Sequence, residues 1–371
     1  MANTIKFCKG GACPKNAPSG ASTPSRVAQK ADRALNCGLF GQPGGGKCSN
    51  PYFVYVQKVF KWIGELSEEV HVSKTRLFFD YAGAVLMHGC LIRQYRIGGF
   101  WTKSYAMRKK CLTYPRMVKM MKKLNNPDYI HFLNEKVDFN KFFKDFVHRD
   151  WIYIKEVTEE EFENFVKKYG VVIVKPVAGV EGGGVRKLRY KEHPDINLKQ
   201  MYADLLNEDV MVEEIIKQHP KMVFGNTSVN TIRTMTLTDK SGKGHVVKAI
   251  LRAGVGDTDV DNYAEGGSIY EVDLETGVVC SRGKSKAGDN HIKHPGTDII
   301  MLGYQIPNWD KVMEASRKAA EHLPQVGIIG WDVAVTETGT DMIEGNHNPD
   351  YELYEYLGST GYYEVFKNIT K

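Results

Sequence analysis

GIIGWDVAVTETGTDMIEGN, residues 327–346, constrains the fold of this chain more than any other stretch. Strict alternation puts Gly330, Asp332 and Ala334 on one strand face and Ile329, Trp331, Val333 and Val335 on the other. Glu337-Thr338-Gly339 reads as a three-residue loop with Gly339 at positive φ, so the segment is an antiparallel hairpin. Counted outward from Thr338, Thr336 faces Thr340, Ala334 faces Met342 and Asp332 faces Glu344. Asn346 lies two further on, on the face of Glu344. Two carboxylates directly opposite each other repel. Water on an exposed face, a neighbouring Arg, or a hard divalent cation taking both carboxylates and the amide oxygen would each relieve the repulsion.

A second stretch, VVIVKPVAGVEGGGVRKL, residues 171–188, raises a related question. Val171 to Val174 is a β-branched apolar run with the composition of a buried strand. It ends in Lys175, a charge that is costly to bury unpaired. Pro176 excludes a helix, and Gly182, Gly183 and Gly184 follow in a loop. A lysine beside backbone that glycines leave open is well placed to meet a nucleotide phosphate. The bland alternative is a lysine snorkelling ahead of an ordinary turn.

Around these stretches the chain changes character near residue 150. From Tyr52 to about Asn134, apolar residues recur at three and four positions, as in packed helices. Met107, Met117, Met120 and Met121 read there as core filler. Beyond residue 150, helical EEEFENFVKKY leads to strand VVIVK, helical LKQMYADLLN and strand VMVEEII. Hairpins, a helix over roughly 310–322 and two final strands complete an α+β pattern with much antiparallel sheet.

The 371 residues, 42% of them hydrophobic, are enough for one large or two ordinary domains. No stretch is long and apolar enough to span a bilayer. The seven cysteines suit a reduced, cytoplasmic protein. The net charge of +6 hides an asymmetry: residues 1–150 hold 25 Lys and Arg against 10 Asp and Glu, and the remainder 25 against 34. The segment Lys103–Lys123 carries eight basic residues and no acid. Either it is a solvated helical face or the basic N-terminal half meets an anionic partner. No nucleic-acid-binding signature accompanies it.

Residues 1–50 are rich in Gly, Pro, Ser, Ala and Lys and read as a flexible basic tail. Cys8, Cys13, Cys37 and Cys48 lack the spacing of a zinc site. GQPGGGKC, residues 41–48, fits GxxxxGK, but no buried strand precedes it. Cys48 stands where a magnesium-binding Ser or Thr belongs, and Asn50-Pro51 obstructs a following helix. It is a decoy.

From the helical region onward, these features resemble the ATP-grasp superfamily, and specifically its sugar-transfer-associated branch. The resemblance implies two α+β subdomains gripping ATP, here 135–216 and 217–371, preceded by a helical region at 51–134. LNEKVDF and VIVKP would supply two phosphate-binding lysines, Lys136 and Lys175. Gly182 to Gly184 would form the lid, and Glu213, Glu214, Ile215 and Ile216 the adenine hinge. Asp332, Glu344 and Asn346 would hold Mg2+. HPKMVFGNTSVNTIRTMTL and LRAGVGDTDVDNYAEGG are similar to further segments of this branch. Many relatives begin with a Rossmann-like domain, and the helical region here is a departure that leaves the acceptor-binding surface unassigned.

The family's usual chemistry phosphorylates a carboxylate with ATP and lets an amine or similar nucleophile attack the acyl phosphate. Arg233 and Arg252, on neighbouring predicted strands, suit the transferring γ-phosphoryl group or the substrate carboxylate. Alternatively, they are structural partners of Asp261 or Glu265. The resemblance implies an ATP- and Mg2+-dependent ligase acting on a sugar, sugar acid or amino acid in surface-polysaccharide assembly. The same site would serve a small-molecule kinase that stops after phosphoryl transfer. A nucleotide-binding partner protein without turnover is a third reading, against which Lys175, Asp332, Glu344 and Asn346 all argue.

Overall fold

The computed structural model describes residues 51–178, 183–256, 267–285, 290–355 and 361–371. The four tail cysteines, the Gly41–Lys47 loop, Gly182, Asp261 and Glu265 lie outside them. The chain forms two compact units, Met1–Gly64 and Glu65–Lys371. The described part of the first is the opening of a helix, α1 (Pro51–Val70), with Val59 and Ile63 buried.

The second unit opens with helices α2 (Lys74–His88), α3 (Ile92–Ile97), α4 (Tyr105–Lys110) and α5 (Tyr114–Leu124), then short α6 (His131–Asn134) and α7 (Lys136–Phe142). The helical region therefore runs to Phe142, past Asn134, and Lys136 opens a helix. Helix α2 begins where the Ser73 hydroxyl accepts the Arg76 amide and stops at Gly89, whose φ is +66°. A Cβ at Gly89 would lie 2.5 Å from the Pro115 ring, so two constraints demand glycine there. Met117 and Met120 are buried and Met121 packs at the core's edge, whereas Met107 is exposed. The reason is local: α4 is short and ends in Arg108, Lys109 and Lys110, and it buries Arg108 instead.

Two antiparallel sheets follow. The smaller contains β1 (Trp151–Tyr153), β2 (Val171–Pro176), β3 (Arg186–Arg189) and β4 (Val210–Glu214), in the order β1-β4-β2-β3. Helices α8 (Glu159–Tyr169) and α9 (Leu198–Leu205) cover one face, packing Phe162, Val166, Leu198 and Leu205 onto Val172, Val174 and Val212. A capping box, Thr158 with Glu161, starts α8. Alternation then turns Lys175, Met211 and Glu213 to the opposite face. The strand accommodates a charge near its end because Lys175 points away from the core that Val172 and Val174 enter.

The larger sheet is formed by β5 (Thr231–Thr238), β6 (Gly244–Ala253), β7 (Ser268–Glu271), β8 (Gly283–Ser285), β9 (Asn290–His291), β10 (Ile328–Val335) and β11 (Thr340–Asn346). Its order is β11-β10-β5-β6-β7-β8-β9. Helix α10 (Trp309–His322) covers the face that carries Ile329, Trp331, Val333 and Val335. On the other face, Met235, Leu237, Ile250 and Ile328 pack with Met117, Tyr354 and Phe366.

The β10–β11 hairpin corrects the expected turn. Val335, not Thr336, pairs with Thr340, and Ala334 pairs with Asp341 instead of Met342. Gly339 is not among the residues with positive φ; the loop closes instead by a Thr336 N–H to Gly339 carbonyl bond of 2.9 Å and a Gly339 N–H to Thr336 hydroxyl bond of 3.1 Å. A β-bulge between Asp332 and Val333 then adds one residue to β11, and Asp332 faces Glu344 after all. The offset at the turn and the bulge cancel.

Candidate functional site

The site begins with that pair. Asp332 sits on β10, one strand in from the sheet edge, with Glu344 across the ladder on β11 and Arg233 across it on β5. Both oxygens of Asp332 are occupied: Arg233 donates through Nε to Oδ1 and through Nη2 to Oδ2 (2.7 Å), and Arg252 Nη1 donates to Oδ2 at 3.0 Å. Burial would raise the Asp332 pKa, but the charges of Arg233 and Arg252 outweigh it and hold the carboxylate down at about 2. Glu344 is pushed the other way, first by burial and then by the negative charge of Asp332. Its Oε1 accepts from the Asn346 side-chain amide at 3.1 Å. Of the three ways to relieve the repulsion, the neighbouring arginines are present in the structure.

The sequence reading sent Arg233 and Arg252 to a phosphoryl group, a substrate carboxylate, or Asp261 and Glu265. In the structure both hold Asp332. Their side chains are mostly buried, 10% and 14% exposed.

The lysines come from the smaller sheet and the segment before it. Lys175 ion-pairs with Glu213, one strand over on the same face. The backbone N–H of Lys136 donates to the Val177 carbonyl at 3.3 Å, which ties the start of α7 to the end of β2. Burial lowers the Lys136 pKa most, Glu344 and Glu213 raise it and Lys175 lowers it, so these four side chains share one electrostatic neighbourhood. Gly183 and Gly184 are exposed beyond β2, and Gly184 has φ +78°.

The expected hinge residues divide. Strand β4 ends at Glu214, and Ile215 and Ile216 lie past it, half-buried. The Glu213 side chain is buried and engaged on both oxygens, by Lys175 and by Arg149 Nη2 at 3.0 Å. Burial would raise its pKa, but Arg149 and then Lys175 hold it well below the usual range. Arg149 also donates to Asp341 Oδ1 at 2.5 Å. Burial pushes the Asp341 carboxyl up, yet the permanent charge of the guanidinium against it favours the ionised form. Sequence reasoning missed Arg149, whose partners lie 64 and 192 residues away, beyond any local spacing signal.

The donor set fits Mg2+ and a nucleotide. Asp332 and Glu344 face each other across the ladder, and a cation between them would offset the repulsion of the two carboxylates. Asp332 Oδ2 accepts two arginine hydrogen bonds, whereas Asp332 Oδ1 and Glu344 Oε1 each accept one from a neighbouring side chain and retain a lone pair. Two carboxylates and an amide leave positions open for phosphate oxygens and water, as Mg2+ prefers. Among the described residues no cluster of three or more His, Cys, Asp and Glu suits a metal, and no helix is long and apolar enough to cross a membrane.

Residues 116–371 match the family model described as sugar-transfer associated ATP-grasp. No curated protein matches the chain. Among solved structures it is similar to the ATP-grasp ligase PsnB complexed with minimal precursor, Mg and ADP (14% identity, TM-score 0.40, 66% of this chain and 60% of that one). It is also similar to N5-carboxyaminoimidazole ribonucleotide synthetase from Thermotoga maritima (12%, TM-score 0.41, 68% and 55%). A third is the biotin carboxylase domain of Hydrogenobacter thermophilus 2-oxoglutarate carboxylase (15%, TM-score 0.38, 63% and 47%). The chain thus spans less than two thirds of each of these structures.

Proposed function

The chain belongs to the sugar-transfer associated ATP-grasp family, and on that premise we propose that it is an ATP- and Mg2+-dependent ligase. It would activate a carboxylate as an acyl phosphate and join it to an amine or similar nucleophile. The observation that supports this most is the facing of Asp332 and Glu344 across the β10–β11 ladder, with Asn346 bonded to Glu344 and the charges of Glu344 and Lys175 both acting on Lys136.

Each residue has a part that its surroundings favour. Asp332, kept ionised by two arginines, and Glu344, with Asn346 beside it, would hold Mg2+. Lys136 and Lys175 would offset phosphate charge, and Gly182, Gly183 and Gly184 would let backbone amides approach it. Glu214, Ile215 and Ile216 would present backbone groups to the adenine, whereas the Glu213 side chain is committed to orienting Lys175. Arg233 and Arg252 would fix Asp332 and place positive charge beside the carboxylate substrate. Mg-ATP would supply the phosphoryl group, and Mg2+ held by Asp332, Glu344 and Asn346 would offset its negative charge. The setting we propose is sugar-conjugate or surface-polysaccharide assembly; the family's description, sugar-transfer associated, supports the link to sugars alone.

The test is ADP release with a panel of sugar acids and amino acids, with hydroxylamine present to trap an acyl phosphate as hydroxamate. Substrate-stimulated ADP release with hydroxamate supports the ligase reading. ADP release with a stable phosphorylated product and no hydroxamate would replace it by a kinase.

A further inference from the structure

Arg149 is among the most buried charges in the chain, with its side chain 1% exposed. It lies outside the motifs described above. Two facts about its surroundings belong together. The bulge that brings Glu344 opposite Asp332 leaves Ile343 without a partner on β10. Consecutive carbonyls of β11, Met342 and Ile343, then turn to the outer edge of the strand and need donors there. Arg149 supplies them, Nη1 to the Met342 carbonyl at 2.8 Å and Nη2 to the Ile343 carbonyl at 3.4 Å. The preceding residues run along the same edge: the Phe146 carbonyl accepts the Met342 amide at 2.9 Å, and His148 Nδ1 is 2.7 Å from the Thr340 carbonyl.

The same guanidinium reaches the other sheet. Nη2 donates to Glu213 Oε1 at 3.0 Å, and the Asn140 side-chain amide donates to that oxygen at 3.3 Å. Glu213 Oε2 holds Lys175. One planar fork thus spans from the bulge beneath Glu344 to the carboxylate that aims Lys175. Lysine could replace the charge but not this geometry, because its ammonium lacks the fork that meets several acceptors at once.

We infer that Arg149 is a positioning residue that sets the metal-binding pair and the phosphate-binding lysine as one unit, so that Mg2+ and nucleotide bind cooperatively. The inference rests on the ATP-grasp ligase reading of the site. It assigns Arg149 no contact with substrate.

The experiment is calorimetric titration of ADP over a series of magnesium chloride concentrations, with thermal melting in parallel. In Arg149→Lys, the Mg2+ half-saturation of ADP binding should rise about 10–100-fold, as for residues that orient metal ligands from behind. Adding Lys175→Ala to Arg149→Lys should weaken ADP binding much less than Lys175→Ala does alone. If Arg149→Lys melts cooperatively but shows wild-type Mg2+ dependence, or if the two changes are additive, the inference is wrong. Should Arg149→Lys fail to fold, Asp341→Asn removes one of the guanidinium's anchors. It should raise the Mg2+ half-saturation in the same direction, and an unchanged value would refute the coupling. Wild-type protein that binds no ADP with Mg2+ would refute the nucleotide site itself; wild-type binding with an unaffected variant would refute only the role of Arg149.

Discussion

Asp332 faces Glu344 across the β10–β11 ladder, yet the two carboxylates are not equivalent. Asp332 carries two guanidinium partners, Arg233 and Arg252, whereas Glu344 has an amide and its acidic neighbour. Sequence alone suggests two like charges whose replacement by amides relieves repulsion equally. The structure separates them. Asp332→Asn removes the carboxylate that two mostly buried guanidinium groups share and should cost about 3–5 kcal/mol of stability. Glu344→Gln should leave the metal-free fold as stable as wild type, because the carboxyl it replaces is already disfavoured as a charge. Both should nearly abolish Mg2+-dependent ADP release. Thermal melts in EDTA beside activity assays check this, and equal melting losses for the two variants would refute the asymmetry.

Lys175→Ala should weaken Mg-ADP binding by about tenfold or more, from the 1.5–3 kcal/mol of a hydrogen bond to a charged group. The fold should survive, because Glu213 keeps Arg149 as a partner. Calorimetry on a variant that melts normally decides it. Unchanged affinity would remove Lys175 from the nucleotide site.

The sequence shows Asp332 opposite Glu344 because period-two alternation carries face information along a strand, and it shows Lys175 because a charge ends an apolar run. Their partners stayed hidden for a physical reason. Asp332 and Arg233 are 99 residues apart and meet only through the β5–β10 register, which no local pattern encodes. The bulge at Ile343 leaves the composition of the strand unchanged, so counting residues reached the right pair through two offsetting errors. The helical region was legible as packed helices, but its end at Phe142 was not. Lys136 opens α7 where an isolated Glu-Lys dipeptide gives no boundary signal.

Acid stability should carry the mark of Glu213. Its folded pKa is lowered from the ordinary 4.5, chiefly by Arg149 against the opposing effect of burial, so the unfolded chain takes up this proton first as pH falls. Its stabilising effect is therefore fully present above the ordinary value and lost progressively below about pH 5. Glu213→Gln should be less stable than wild type at neutral pH, since two cations lose their partner. It should also lose less further stability between about pH 5 and pH 3. Urea midpoints across that range measure both slopes, and parallel curves would show that Glu213 titrates normally in the fold.

Gly184 and its neighbour Gly183 offer a contrast within one loop. Gly184 has φ +78°, and a Cβ there would stand 2.8 Å from Cγ of Pro176, the residue after Lys175. Left-handed backbone costs a side-chain-bearing residue about 1–2 kcal/mol, before any clash. Gly183 and Gly184 are exposed, so the strain can be relieved by moving them and the end of β2, without unfolding the core. Gly184→Ala should thus leave the melting temperature nearly unchanged while weakening Mg-ADP binding several-fold, as about 1 kcal/mol of misplacement would. Gly183 is not among the residues with positive φ, and Gly183→Ala should bind ADP more tightly than Gly184→Ala does. If the two alanine variants bind equally, the backbone at Gly184 plays no part in presenting Lys175. If Gly184→Ala melts far below wild type, the loop bears on the core of the smaller sheet and not only on the site.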